Sequence, residues 1–145
     1  MRKVVLNNCS GGFGLSIKGI KRYLELAGKE CYFYIFIEGE LSFDGHYELI
    51  DDYENNKELN GPNFIKIPIV VTEHLGNIRN SIPKELRFNE DSLSRTDPIL
   101  IQVVEELGIE AGDRRCSSLI IKEIPDGIKF NIEDDGNGRE FIALE

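Results

Sequence analysis

Two stretches of this chain carry helical periodicity between a marked start and a marked end, and they limit the possible folds most. In LSIKGIKRYLELAGK (15–29), Ser16 suits the N-cap and Gly28 stands where a left-handed residue is favoured. In RTDPILIQVVEELGIEAG (95–112), an Asp-Pro pair suits the N-cap and first helical position, and Gly108 ends the apolar stripe. The sequence therefore predicts two principal helices.

Short strand-like runs, rich in β-branched and aromatic residues, fill much of the rest. They are RKVVLN (2–7), ECYFYIFIEGE (30–40), HYELIDDYE (46–54), NFIKIPIVVTE (63–73), two strands that meet around PDG (125–127), and a third after DDGNG (134–138). Pro68 favours an edge position or a break, and residues 73–94 are predicted as loop with one short helix. Since Asp-Gly and Asn-Gly favour hairpins, we expect a single α+β domain over 1–145 with a mainly antiparallel sheet.

Charge and composition exclude several classes of function. Against 17 Lys and Arg stand 26 Asp and Glu, a net charge of −9 that disfavours nucleic-acid binding. The longest apolar run, YFYIFI (32–37), is too short for a membrane helix, so we expect a cytoplasmic protein without a membrane partner. Three cysteines and two histidines, with no C-x-x-C pair, favour reduced thiols and predict no metal or cofactor. Acids concentrate in 38–58, which is a solvated loop or strand face, a surface for a protein partner, or a mimic of a nucleic acid.

The stretch NNCSGGFGLS (7–16) joins the first strand to the first helix. A glycine turn at a helix start is suited to anions, because the first backbone N–H groups lack partners there. Gly11, Gly12, Gly14 and Ser16 would form the cradle, and Phe13 would stack on a base or ribose. The P-loop motif is absent, and the dinucleotide fingerprint has two of its three glycines. The alternative is a tight corner with Phe13 in the core.

Other candidate residues carry weaker signals. Arg95, just before the second helix, has the donor geometry for a phosphate or carboxylate, or is simply exposed. The two neighbouring arginines Arg114 and Arg115 either bind an anion or form ion pairs with nearby acids. Cys9 lacks an evident base for nucleophilic catalysis. Acids at 134, 135 and 140 suit a hairpin turn better than a cation site. We therefore predict no catalytic residues and no enzyme activity.

Four stretches together resemble a family of small phage and prophage proteins of unknown function. They are KVVLNNCSGGFGLS, RTDPILIQVVEELG, SSLIIKEIPDGIKFNIED and DGNGREFI. Members join a C-x-G-G-F-G-L-S start to an R-x-D-P-x-L-x-x-V-V-E-E-L-G helix, and Ser10 stands where they commonly carry an aromatic residue. The matching motifs leave 43–94 as a variable insert. The resemblance implies a phage origin and a location in the host bacterial cytosol.

A phage origin favours binding over catalysis. It suggests a non-enzymatic sponge, expected to form a homo-oligomer, that sequesters a nucleotide-derived immune signal. Candidate signals are ADP-ribose derivatives, as in Thoeris systems, and cyclic nucleotides. In this hypothesis the glycines and Phe13 hold the ligand while Lys18 and Arg95 neutralise its phosphate. One alternative is an acidic inhibitor that uses 38–58 to bind a host defence or DNA-binding protein. The other is an enzyme acting on a nucleotide.

Overall fold

The computed structural model describes residues 1–37, 45–50, 69–76, 82–113 and 117–145. Within these ranges it contains two α-helices and seven strands, and every strand pair is antiparallel. In chain order they are β1 (Arg2–Asn7), α1 (Ile17–Leu26), β2 (Tyr32–Ile37), β3 (His46–Ile50), β4 (Ile69–Val71), α2 (Pro98–Leu107), β5 (Leu119–Ile124), β6 (Phe130–Asp134) and β7 (Glu140–Leu144). The predicted α+β class, with two helices and antiparallel sheets, is confirmed.

The chain divides into two compact units. The first comprises Met1–Gly28 and Asn89–Glu145, and the second comprises Lys29–Phe88. The second unit covers most of the predicted insert at 43–94, while the single domain over 1–145 stays a prediction. Neither of the two described helices has the length and apolar character that a membrane span requires.

The second unit contains a three-stranded sheet in the order β3-β2-β4. Tyr34 of β2 is fully buried, and its hydroxyl accepts a hydrogen bond from the Leu75 N–H at 3.0 Å. β4 begins directly after Pro68 and lies at one edge of this sheet. Pro68 itself, which predicted an edge position or a break, lies outside the described residues. The predicted short helix in 73–94 corresponds to two 3₁₀ turns, Lys84–Leu86 and Glu90–Ser92.

The first unit is built on β1 and β5, which pair along their full lengths from Arg2 opposite Ile124 to Asn7 opposite Leu119. One face of this pair is covered by the β6–β7 hairpin. The contacting apolar side chains are Val4, Leu6, Ile120, Ile124, Phe130, Ile132 and Ile142. α2 packs against the same strands, and Lys3 of β1 pairs with Glu105 of α2 at 3.2 Å. The two-stranded pair is therefore the scaffold of this unit.

The expectation that the strands flanking PDG pair as a hairpin is wrong. Gly127 does adopt a left-handed turn with φ of 80°, but β5 pairs with β1 and β6 pairs with β7. Because Pro125 has no N–H to donate, it does not extend the ladder past β5. The chain instead crosses to a separate hairpin, whose DDGNG turn agrees with the prediction.

Both helices have the predicted ends. The Ser16 hydroxyl caps α1 by accepting the Gly19 N–H at 2.9 Å, and Asp97 caps α2 by accepting the Ile99 N–H at 2.8 Å. Gly19 has an unforeseen role within α1. A Cβ there would lie 2.7 Å from the Ala111 carbonyl oxygen, so the helix approaches the 3₁₀ turn after α2 more closely than alanine would allow. This close approach offsets the helix-propensity cost of the glycine.

Candidate functional site

The glycine loop that follows β1 is fixed by the turn of the β6–β7 hairpin. Gly11 and Gly12 have φ of 116° and 94°, a region that favours glycine. The Gly11 N–H donates to the Asn137 carbonyl at 2.6 Å. A Cβ on Gly138 would overlap the Gly12 nitrogen and lie 2.8 Å from its Cα. Loop and hairpin turn therefore meet backbone to backbone.

Asn7, fully buried at the end of β1, holds this junction from inside. Its side-chain amide donates to the carbonyls of Cys9 at 2.7 Å and Gly138 at 2.9 Å. Its side-chain oxygen accepts the Ser118 N–H at 2.9 Å. A buried asparagine needs such partners, because an unpaired amide would carry the full cost of its desolvation. One side chain thereby links the loop, the hairpin turn and the residue that precedes β5.

Phe13 and Arg95, predicted as separate parts of a ligand site, are in contact. The Arg95 guanidinium carbon lies 3.7 Å from the centre of the Phe13 ring, within the range of a cation–π interaction. Both side chains are half-buried. Phe13 is therefore not a fully buried core residue, and one face of its ring is already covered.

The guanidinium of Arg95 is paired with Glu140, an acid for which the sequence predicted only a place in a hairpin turn. Arg95 Nη1 and Nη2 donate to Glu140 Oε1 and Oε2 at 2.6 and 2.8 Å. Glu140 Oε1 also accepts the Asn7 N–H at 2.7 Å. The two side chains are only 20% and 12% exposed, so solvent screens this pair weakly. Glu140 thus occupies the two guanidinium N–H donors that a ligand phosphate or carboxylate would use.

A second carboxylate approaches the loop from the Asn89–Glu145 segment. Glu90 Oε2 accepts the Leu15 N–H at 2.7 Å, just before α1. Burial raises the pKa of the Glu90 carboxyl, and the charges of Asp91 and Asp113 raise it further against the lowering effect of that N–H. A Cβ on Gly14 would lie 3.2 Å from Ser117 Oγ and 3.7 Å from Glu90 Oε1. Gly14 therefore lets the Ser117 hydroxyl approach the backbone, whereas the Glu90 carboxylate lies at ordinary van der Waals distance.

Ser16 and Lys18 face the turn after α2. Besides capping α1, the Ser16 hydroxyl donates to the Glu110 carbonyl at 2.6 Å. Lys18 Nζ lies 2.9 Å from Glu110 Oε2, with both side chains about half exposed. The seven predicted ligand residues thus fall into two groups: Gly11, Gly12, Phe13 and Arg95 beside the hairpin, and Gly14, Ser16 and Lys18 at the start of α1.

The remaining candidates gain little support from their surroundings. Cys9 is exposed, and both histidines belong to the second unit, where His46 contacts Glu48 and His74 packs on Tyr32. The described part of the chain holds no cluster of three potential metal ligands. The pair at 114–115 and all of the acidic segment 38–58 except residues 45–50 lie outside the described ranges.

Comparison with known proteins finds no matching family model, curated protein or solved structure. The residues themselves are therefore the basis for any functional assignment. Sequence reasoning missed Asn7, Glu90 and Glu140 as loop partners, because each is recognisable only once segments distant in sequence are folded together.

Proposed function

We propose that this protein binds a small nucleotide-derived ligand at the glycine loop and sequesters it without chemical change. The ligand class is an ADP-ribose derivative or a cyclic nucleotide released as a bacterial immune signal. In this proposal the chain acts in the host cytosol as a phage sponge, and copies of it assemble into a homo-oligomer.

The observation that carries the proposal is the contact between Phe13 and Arg95 beside two left-handed glycines. An aromatic ring backed by a guanidinium is a rigid stacking platform, since cation–π contact fixes the ring before a base arrives. The half-buried ring of Phe13 keeps part of its surface accessible. Base–aromatic stacking contributes about 1–3 kcal/mol, enough to orient a nucleotide.

The ligand's phosphate must compete with the protein's own carboxylates. Lys18 is the more accessible cation, because its pair with Glu110 is exposed and such pairs contribute about 0–1 kcal/mol. Arg95 is held by the two short hydrogen bonds that it donates to Glu140 in a partly buried setting. We therefore assign phosphate binding to Lys18 and ring positioning to Arg95. This division departs from the sequence-based expectation that both neutralise phosphate.

A ligand panel tests the proposal directly. Purified protein is heated with ADP-ribose, its cyclic and amino-acid-linked derivatives, and cyclic di- and trinucleotides, and the shift in Tm is recorded. A ligand at 100 times its Kd adds about 2.7 kcal/mol, which is readily detected. The bound ligand is then released by denaturation and identified by chromatography. Intact ligand supports sequestration, altered ligand indicates an enzyme, and a flat panel overturns nucleotide binding.

Matched variants locate the site. Phe13→Leu removes the aromatic face with little loss of apolar volume and should weaken the ligand at least tenfold, while Phe141→Leu, on the exposed side of β7, should not. Lys18→Gln should weaken binding several-fold, and Lys29→Gln serves as its exposed control. Equal affinities for all four variants would place the ligand elsewhere on the protein.

A further inference from the structure

A second concave surface lies in the first unit, between β5 and β7. The β6–β7 hairpin covers only part of the β1–β5 face, and a cavity of about 440 Å³ remains along its border. Its apolar walls are formed by Leu6, Ile120, Ile124, Phe141, Ile142 and Leu144. A volume of this size lies in the range of small-molecule sites. We refer to this cavity as the β5–β7 trench.

Part of this apolar surface is open to solvent. Phe141 is 46% exposed and Leu144 is 60% exposed, both on the last strand. Leu144 leaves β7 on the same face as the half-buried Ile142, whereas Phe141 leaves from the opposite face, and all three line the trench. Contiguous exposed apolar surface is unfavourable in water and commonly marks a binding site.

Lys122 supplies a charge to the trench. Because side chains alternate along a strand, Lys122 leaves β5 on the same face as Ile120 and Ile124. It is exposed, lines the trench, and forms no salt bridge with any residue in the described ranges. Two acids, Glu123 and Glu140, also line the trench. Glu140 is bound by Arg95, and the Glu123 side chain leaves β5 on the face opposite to Lys122, across from Lys3.

We infer that the β5–β7 trench binds a small apolar molecule that carries one acidic group. The acidic group would pair with Lys122, and the apolar part would cover Ile142 and Leu144. Carboxylates, sulfonates and phosphate monoesters share this chemistry. The inference does not rest on the proposed nucleotide site, since Phe13, Lys18 and the glycines do not line the trench.

Two fluorescent dyes separate the apolar and ionic contributions in the full chain. Anilinonaphthalene sulfonate carries one acidic group, whereas Nile red carries no charge. We expect both dyes to bind the folded protein at one site. Lys122→Gln should weaken the sulfonate about three- to fivefold, the effect of one exposed ion pair, and leave Nile red unchanged. Lys129→Gln, an exposed lysine outside the trench, is the matched control.

A third variant tests the location. Leu144→Glu places an acid in the apolar wall and should weaken both dyes, and near-ultraviolet circular dichroism confirms that each variant is folded. The inference is overturned if wild-type protein binds neither dye. It is also overturned if the two lysine variants behave alike, or if Leu144→Glu changes nothing. Dimerisation that displaces both dyes as protein concentration rises would show instead that a second copy fills the trench.

Discussion

The side chains of Arg95 and Glu140 meet through two parallel hydrogen bonds of 2.6 and 2.8 Å. This pair joins the segment before α2 to the first residue of β7. Arg95 also makes two contacts to β1: its backbone carbonyl accepts the Val5 N–H at 2.9 Å, and its guanidinium donates to the Val5 carbonyl at 3.3 Å. Three segments far apart in sequence are therefore held at one point.

Breaking this pair should destabilise the protein strongly. Glu140→Ala removes the carboxylate from a partly buried guanidinium, which keeps only the Val5 carbonyl, and leaves the Asn7 N–H without its acceptor. We expect a loss of about 3 kcal/mol in the free energy of unfolding. The double variant Arg95→Ala, Glu140→Ala should lose less than the sum of the single losses. Urea unfolding measures these values. Glu110→Ala, which breaks an exposed pair, is the control and should cost less than about 1 kcal/mol. A similar small loss for Glu140→Ala would contradict the prediction.

Gly138→Ala should lower the thermal stability of the protein more than Gly136→Ala does. Both glycines have positive φ, 92° at Gly136 and 99° at Gly138, so both alanines carry backbone strain of about 1 kcal/mol. A Cβ on Gly136 meets nothing within 4 Å, whereas one on Gly138 collides with the Gly12 backbone. Thermal unfolding of the two variants isolates the collision. Equal Tm values would show that loop and hairpin turn do not meet closely.

Removing the charge of Glu90 should reduce the stability of the protein less than removing the oxygen that accepts the hydrogen bond. Burial raises the pKa of this carboxyl, so its stabilising contribution is present below pH 4.5 and is lost as pH rises through the raised value. At pH 7, Glu90→Gln keeps an acceptor for the Leu15 N–H and should be at least as stable as the natural protein. Glu90→Ala leaves that N–H unpaired and should cost about 1–2 kcal/mol. Urea unfolding measures the free energy of unfolding of both variants. Equal losses in the two would contradict this prediction.

Tyr23 should make stability fall in alkaline solution. Its hydroxyl donates to Asp97 Oδ2 at 2.5 Å, and burial together with this hydrogen bond raises its pKa to about 12. A raised pKa in the folded state adds stability below pH 10, the ordinary value, and that stability is lost between pH 10 and about 12. Denaturant unfolding between pH 8 and 12 should show this loss, and Tyr23→Phe should remove much of it. Parallel pH profiles would contradict the assignment.

The features predicted well from the sequence are those set by neighbouring residues. The caps at Ser16 and Asp97 depend on side chains and N–H groups two or three residues apart, and both are present. The run 2–7 is strand because its residue types favour an extended chain. Local chemistry also places the Asn-Gly turn between β6 and β7.

Features that depend on distant pairing were not predictable in this way. The PDG turn favours a local hairpin, but β1 competes for β5 and takes it along its full length. The sequence predicts only a loop around Glu90 and a turn around Glu140. Folding nevertheless brings their carboxylates to N–H groups that are 75 and 133 residues away. For the same reason Arg95 is recognisable as an anion binder but not as one already occupied.

The junction between Gly11 and Asn137 has a consequence for biosynthesis. A ribosome releases the glycine loop more than a hundred residues before the partner backbone that shapes it. Until then the loop lacks the hairpin turn against which it is fixed, and β1 lacks β5. Folding of this unit must therefore wait until the β6–β7 hairpin has been synthesised, so the glycine loop of the nascent chain stays unformed until then.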